Sequence, residues 1–234
     1  MISLPIGAIL TVVVFILSMG FGNLPLYFNW HSLLLVGGGT VAIFAFSTPV
    51  SVLSGLFKEV RELFGKGTSF TDVRSNLIDL AKSRDRSLSF NDELTLYAQD
   101  LWTQGISQDL FVVLISQKRK EIEQRSVDAI QSLKNLAKYP PALGMAGTVM
   151  GIVTLFQSLE SNKSGIGPAL AMALTATFFG LAIANGVVMP ISDRLQVRHL
   201  AKSRYLDQVY QVLLLINQDE APQLIEEEVK LRGA

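Results

Sequence analysis

The chain has 234 residues, twenty basic and twenty acidic side chains, no cysteine and two histidines, with a mean hydropathy of +0.37. Only 17% of its residues are charged, against about a quarter in soluble domains, so a lipid bilayer is the first expectation. Zero net charge removes the basic field that draws proteins to nucleic acid; the lack of cysteine excludes disulfides, thiolate nucleophiles and cysteine metal sites, and two histidines leave little for metal chemistry.

No Asp, Glu, Lys or Arg precedes Lys58. The start has neither a basic n-region nor a small-residue cleavage pattern, so it reads as a retained span, not a signal peptide. Asn23, Pro25, Asn29 and His31 interrupt the charge-free run, and Phe21, Tyr27, Phe28 and Trp30 cluster at the interruption as an interfacial belt would. Two membrane helices are predicted over residues 4–21 and 32–50 of a 1–56 segment, at about 20 apolar residues per crossing. Residues 57–138 read as a helical lobe. "TDVRSNLIDLAKS" opens on capping residues and carries Val73, Leu77, Leu80 and Ala81 at helical spacing. Gly105 and Ser107 mark a break, and Ile122, Ile130, Leu133, Leu136 and Ala137 lead onward. Two further spans, 140–159 and 166–191, fall within 139–193, and a helical tail, 194–234, ends the chain. The fold class is therefore an all-α membrane protein with four transmembrane helices. Lys and Arg crowd the middle stretch and follow the fourth span, as Arg194, Arg198, Lys202 and Arg204, while the two other connections hold only Lys163. The lobe, the tail and both termini are thus expected in the cytoplasm.

None of the four spans contains an ionisable residue, although membrane proteins that move ions with their own side chains usually place one there. Any titrating group would belong to a partner. The spans instead carry small residues: Ala169, Ala173, Thr177, Gly180 and Ala184 share one helical face, as do Gly144, Thr148 and Gly151, while Gly37, Gly38 and Gly39 thin the second span. Such stripes either pack the chain's own helices or let several copies line a narrow conduit, where Thr148 and Thr177 would offer hydroxyls. Pro140 and Pro141 fit the first turn of a helix, as a plain start or as a mechanical joint at the mouth of the third span. No nucleophile and base pair, metal cluster or phosphate loop supports an enzyme.

"PPALGMAGTVMGIVTLF" followed by "GIGPALAMALTATFFGLAIANGVVMPISDRL" resembles the third and fourth membrane helices of the MotA/PomA family of flagellar stator subunits, within the MotA/TolQ/ExbB superfamily. The resemblance implies a ring of five copies in the bacterial inner membrane around two copies of a MotB-like single-span subunit. That partner carries the essential aspartate, and the ring turns the rotor switch protein. It implies no cofactor, with H+ as the transported ion and Na+ as the alternative. By the same resemblance Pro141 lies at the cytoplasmic mouth of the ion path, and Thr148 and Thr177 lie along it. Ala176 stands where sodium-driven members have a second threonine, although Thr175 offers a hydroxyl one residue earlier.

Pro190 resembles a further family proline and would end or kink the fourth helix. Arg84, Arg86, Asp92 and Glu93 stand where the family has rotor-binding charges, or form an ordinary solvated surface. Two other readings remain: an ExbB/TolQ-like energiser of a non-flagellar envelope process, and a membrane scaffold that moves no ion.

Overall fold

A computed structural model describes residues 3–63, 77–78, 92–161 and 165–232, and the described residues form helices and connecting turns. In chain order these are α1 (Ser3–Met19), α2 (Leu24–Tyr27), α3 (Trp30–Ser47), α4 (Val50–Leu63), α5 (Glu93–Thr103), α6 (Gln108–Leu136), α7 (Tyr139–Ser161), α8 (Ile166–Ile183), α9 (Met189–Asn217) and α10 (Pro222–Arg232). Two compact units are formed, Met1–Phe64 with Asp128–Leu195, and Gly65–Val127 with Gln196–Ala234. These are divisions of packing, not of membrane against cytoplasm, which the expected boundaries at 56 and 138 separate: Leu56 of α4 is buried with Ala129, Ile130 and Leu133 of α6 and with Val188 and Leu195.

In the first unit, helix ends follow local chemistry. α1 stops at Met19 because Gly20 adopts φ +76°, a region glycine enters freely, and the chain turns by 82° into a 3-10 turn and α2. The expected end at residue 21 is thus two residues late, and the predicted interruption is partly helical. α3 begins at Trp30, not 32, because the side chain of Asn29 caps it, accepting from the Ser32 N–H at 3.1 Å. It ends at Ser47, not Val50, because Pro49 forces Thr48 into an extended conformation (φ −120°, ψ 125°). Trp30–Ser47, Gln108–Leu159 and Ile166–Asn217 are long and apolar enough to contain a membrane crossing, and the bent pair Ile9–Met19 with Phe21–Tyr27 is a fourth candidate.

Pro190 does not end the helix, one of the two roles expected of it. The helix runs through it from Ile166 to Asn217, with a π turn at Ala184–Val188 immediately upstream, where the Met189 N–H reaches back to the Ala184 carbonyl. Placed in the first turn of α9, the proline lies where the register has already changed and neither ends nor breaks the helix.

The second unit is held by an apolar cluster of Leu94, Ala98, Leu101 and Trp102 from α5, Phe111, Ile115 and Ile122 from α6, Leu206, Val209, Val212 and Leu213 from α9, and Ile225 and Val229 from α10. Trp102 stacks on Phe111 with ring centroids 5.2 Å apart and donates its indole N–H to Asn217 Oδ1 at 3.1 Å. The expected break at Gly105 and Ser107 lies between α5 and α6, with Gly105 at φ +67°. Of the "TDVRSNLIDLAKS" helix, only Leu77, which is buried, and Ile78 lie among the described residues.

Candidate functional site

α7 and α8 approach so closely that only small residues fit along their seam. A Cβ placed on Gly144 would stand 2.9 Å from the Ala176 carbonyl, on Gly147 2.5 Å from Ala176 Cβ, and on Gly151 2.7 Å from Ala173 Cβ and 2.9 Å from the Ala169 carbonyl. At the proline end, a Cβ on Gly180 would stand 2.6 Å from the Pro140 carbonyl. The small residues expected on one face, Gly144, Gly151, Ala169, Ala173 and Gly180, therefore all meet in one intrachain seam. Close backbone approach of this kind maximises dispersion contact in lipid.

At the middle of the seam, Thr148 Oγ1 lies 2.5 Å from Thr177 Oγ1, 3.1 Å from the Gly144 carbonyl and 3.3 Å from the Ala173 carbonyl. Each hydroxyl has one proton and two lone pairs. If one proton bridges the pair and the other goes to a backbone carbonyl, three lone pairs remain for an incoming donor. If an incoming acceptor arrives instead, the bridging proton can turn toward it. Both side chains are half-buried, so the pair is held by its own chain yet open on one side.

Thr175 and Ala176 point elsewhere. Thr175 is buried and shares a hydrogen bond with Ser32 of α3 at 2.9 Å, while Ser32 Oγ also lies 2.9 Å from the Met172 carbonyl and Thr175 Oγ1 2.7 Å from that of Ala171. Ala176, expected beside the ion path, is fully buried against Gly144 and Gly147. It is a packing position, because that face of α8 is the one that enters the glycine seam. The Ser32 tie was missed; its signal is the Asn29 cap, which places Ser32 in the first turn of α3.

Pro140 and Pro141 stand in the first turn of α7, Pro140 buried and Pro141 half-buried, after a turn of only two residues from α6. Asp92 caps α5, accepting from the Thr95 N–H and hydroxyl, each at 3.0 Å. Glu93 accepts from Arg125 at 2.7 Å and pairs with Lys118 at 3.1 Å. Burial pushes the Glu93 carboxyl up, but the hydrogen bonds and charges of Arg125 and Lys118 outweigh it and hold it below the usual range. Both acids thus have structural roles within their own unit. Arg84 and Arg86 lie outside the described residues.

Residues 88–208 match the model of the MotA/TolQ/ExbB proton channel family. The chain is 28% identical over 219 residues to Motility protein A of Treponema phagedenis, covering 89% of this chain and 82% of that one. It is 27% identical over 238 residues to Motility protein A of Cereibacter sphaeroides, with 97% and 93% covered. It is 23% identical to Chemotaxis protein PomA of Vibrio alginolyticus, with 89% and 85% covered. Among solved structures, the flagellar MotAB stator complex from Bacillus subtilis matches with a TM-score of 0.80 at 17% identity, over 95% of this chain and 92% of that one. C. jejuni MotAB matches at 0.78 and 19%, over 96% and 94%. These matches cover the seam and its hydroxyl pair, and the chain belongs to the MotA/TolQ/ExbB proton channel family, a family of channels and not of enzymes.

Proposed function

We propose that the chain is a stator subunit of a bacterial flagellar motor. Several copies, five by family likeness, surround a MotB-like single-span partner in the inner membrane and turn ion flow, carried by protons, into rotation against the rotor switch protein. The chain crosses the membrane four times with both termini in the cytoplasm. One observation carries the reading: the Thr148–Thr177 hydroxyl pair lies in a seam whose helices hold no ionisable residue from Pro140 to Leu159 or from Ile166 to Ser192. Such a site can pass a proton to and from a partner's group but cannot supply the group itself. A partner carboxyl would donate into a threonine lone pair when protonated and accept the threonine proton when ionised. The two charge states then favour different hydrogen-bond directions at the same place.

The likeness to motility proteins over nearly the whole chain supports a flagellar motor ahead of another envelope motor of the family. The deciding experiment is complementation of a strain lacking its own copy, with the cognate partner supplied, while proton and sodium gradients are collapsed separately. Loss of swimming with the proton gradient alone is the expected result. Dependence on sodium would overturn the ion, and failure to rotate with a correctly inserted complex would favour an energiser of a different process.

A further inference from the structure

Among the described residues, the three most exposed large apolar side chains are Phe46 (94%), Val50 (81%) and Phe57 (75%), all at the end of α3 or on α4. With 3.6 residues per turn, α4 divides into two faces. Leu53, Leu56, Val60 and Leu63 lie on one, with Leu56, Val60 and Leu63 in the apolar cluster of their unit. Val50, Ser51, Ser54, Phe57, Lys58 and Arg61 occupy the opposite third of the circumference, and all six are exposed. Glu59 lies on the flank and Glu62 just past the edge of that arc, about 20° beyond Ser51, so the arc itself combines apolar residues with two cations. Only Thr48 and Pro49 separate it from Ser47, the last residue of an apolar helix of membrane length.

Water gives no reason to display Phe57, and a protein interface would have to desolvate Lys58 and Arg61 or pair them. A bilayer boundary suits both, because apolar side chains enter the acyl region while Lys and Arg reach outward to headgroups. We infer that α4 is an interfacial helix that seats Val50 and Phe57 in the membrane and binds anionic phospholipid headgroups through Lys58 and Arg61. The inference rests on the reading that α3 spans the bilayer.

The test uses the full chain, which has no native cysteine, carrying a nitroxide at Phe57→Cys or, as a second site on the same arc, Ser54→Cys. It is reconstituted in vesicles of phosphatidylcholine alone or with one quarter phosphatidylglycerol, and label collisions with oxygen and with a water-soluble nickel chelate are measured. With phosphatidylglycerol, the label is expected to be open to oxygen and closed to nickel. Adding Lys58→Gln and Arg61→Gln, or omitting phosphatidylglycerol, should lower the ratio of docked to undocked helix by about thirtyfold, at roughly 1 kcal/mol per basic residue. Access to nickel would place the face in water, and exclusion of both reagents would place it under protein; either overturns the inference. Immersion that ignores lipid charge and the two glutamines would overturn the anionic headgroups. A label at Val41→Cys, 69% exposed on α3, separates the readings: nickel access there would remove the membrane span itself.

Discussion

Gly180→Ala tests the seam where it is least able to yield. The new Cβ would meet the Pro140 carbonyl oxygen at 2.6 Å and the Pro140 carbonyl carbon and Pro141 Cα at 3.2 Å each, all backbone atoms. No side chain can rotate away, so the start of α7 must move off α8 by about 0.8 Å to restore ordinary contact. Overpacking of this kind costs about 1–3 kcal/mol, and replacing a helical glycine by alanine returns up to about 1 kcal/mol. Gly167→Ala on the same helix provides the comparison, because nothing lies within 4 Å of a Cβ there. The difference between the variants should be about 1–3 kcal/mol against Gly180→Ala, read by circular dichroism as the purified chain is unfolded from mixed micelles with SDS. Equal stability of the two variants would refute the claim that the proline turn and Gly180 are in backbone contact.

Thr177→Ala and Pro141→Leu should impair torque while assembly survives. For Thr177, loss of one hydrogen bond of about 1 kcal/mol to a moving proton's carrier slows stepping roughly fivefold, which tethered-cell rotation with a pull-down of the complex would check. Thr175→Val should behave differently, lowering stability by about 0.5–1 kcal/mol through the lost tie to Ser32 while leaving ion dependence as in the parent. Glu93→Gln tests the surface cluster. Because the folded carboxyl titrates below its unfolded value, the stability it contributes is present above the unfolded value near 4.5 and is lost as pH falls through the lowered folded value. Since Glu93 is partly exposed, the variant should lose less than about 1 kcal/mol at neutral pH, with the gap to the parent closing in acid. A gap independent of pH in chemical denaturation would show that Glu93 acts through packing and not charge.

What the sequence disclosed was what single helices determine. A charge-free run interrupted near Asn29 announces two helices, and the prolines at 140 and 141 announce a third start, because chain chemistry alone limits where a helix can begin. At α4 the segment boundary at 56–57, drawn where charges appear, falls inside one helix: Pro49 is the punctuation, and Leu53, Leu56 and Val60 keep helical spacing across that point. The Ser32–Thr175 bond joins residues 143 positions apart; the Asn29 cap marks where Ser32 sits in α3, but nothing local names its partner. The π turn at Ala184–Val188 is equally silent, since nothing in "ANGVV" distinguishes one extra residue per turn from ordinary helix; it also lets the helix continue through Pro190.

The triplet Thr175-Ala176-Thr177 shows how tertiary structure changes the argument about the ion. Successive residues on a helix lie about 100° apart, so these three face different neighbours: Thr175 meets Ser32, Ala176 enters the glycine seam, and Thr177 meets Thr148. Ala176 is fully buried in that seam, so a small residue there serves the packing whatever ion the protein uses and is not independent support for protons. That support moves to the hydroxyl pair. The two hydroxyls bring only two oxygens toward a metal ion's hydration shell, but they can hand over a single proton by reversing one hydrogen bond. The proton reading thus stands on Thr148 and Thr177, and the separate collapse of the two gradients tests it there.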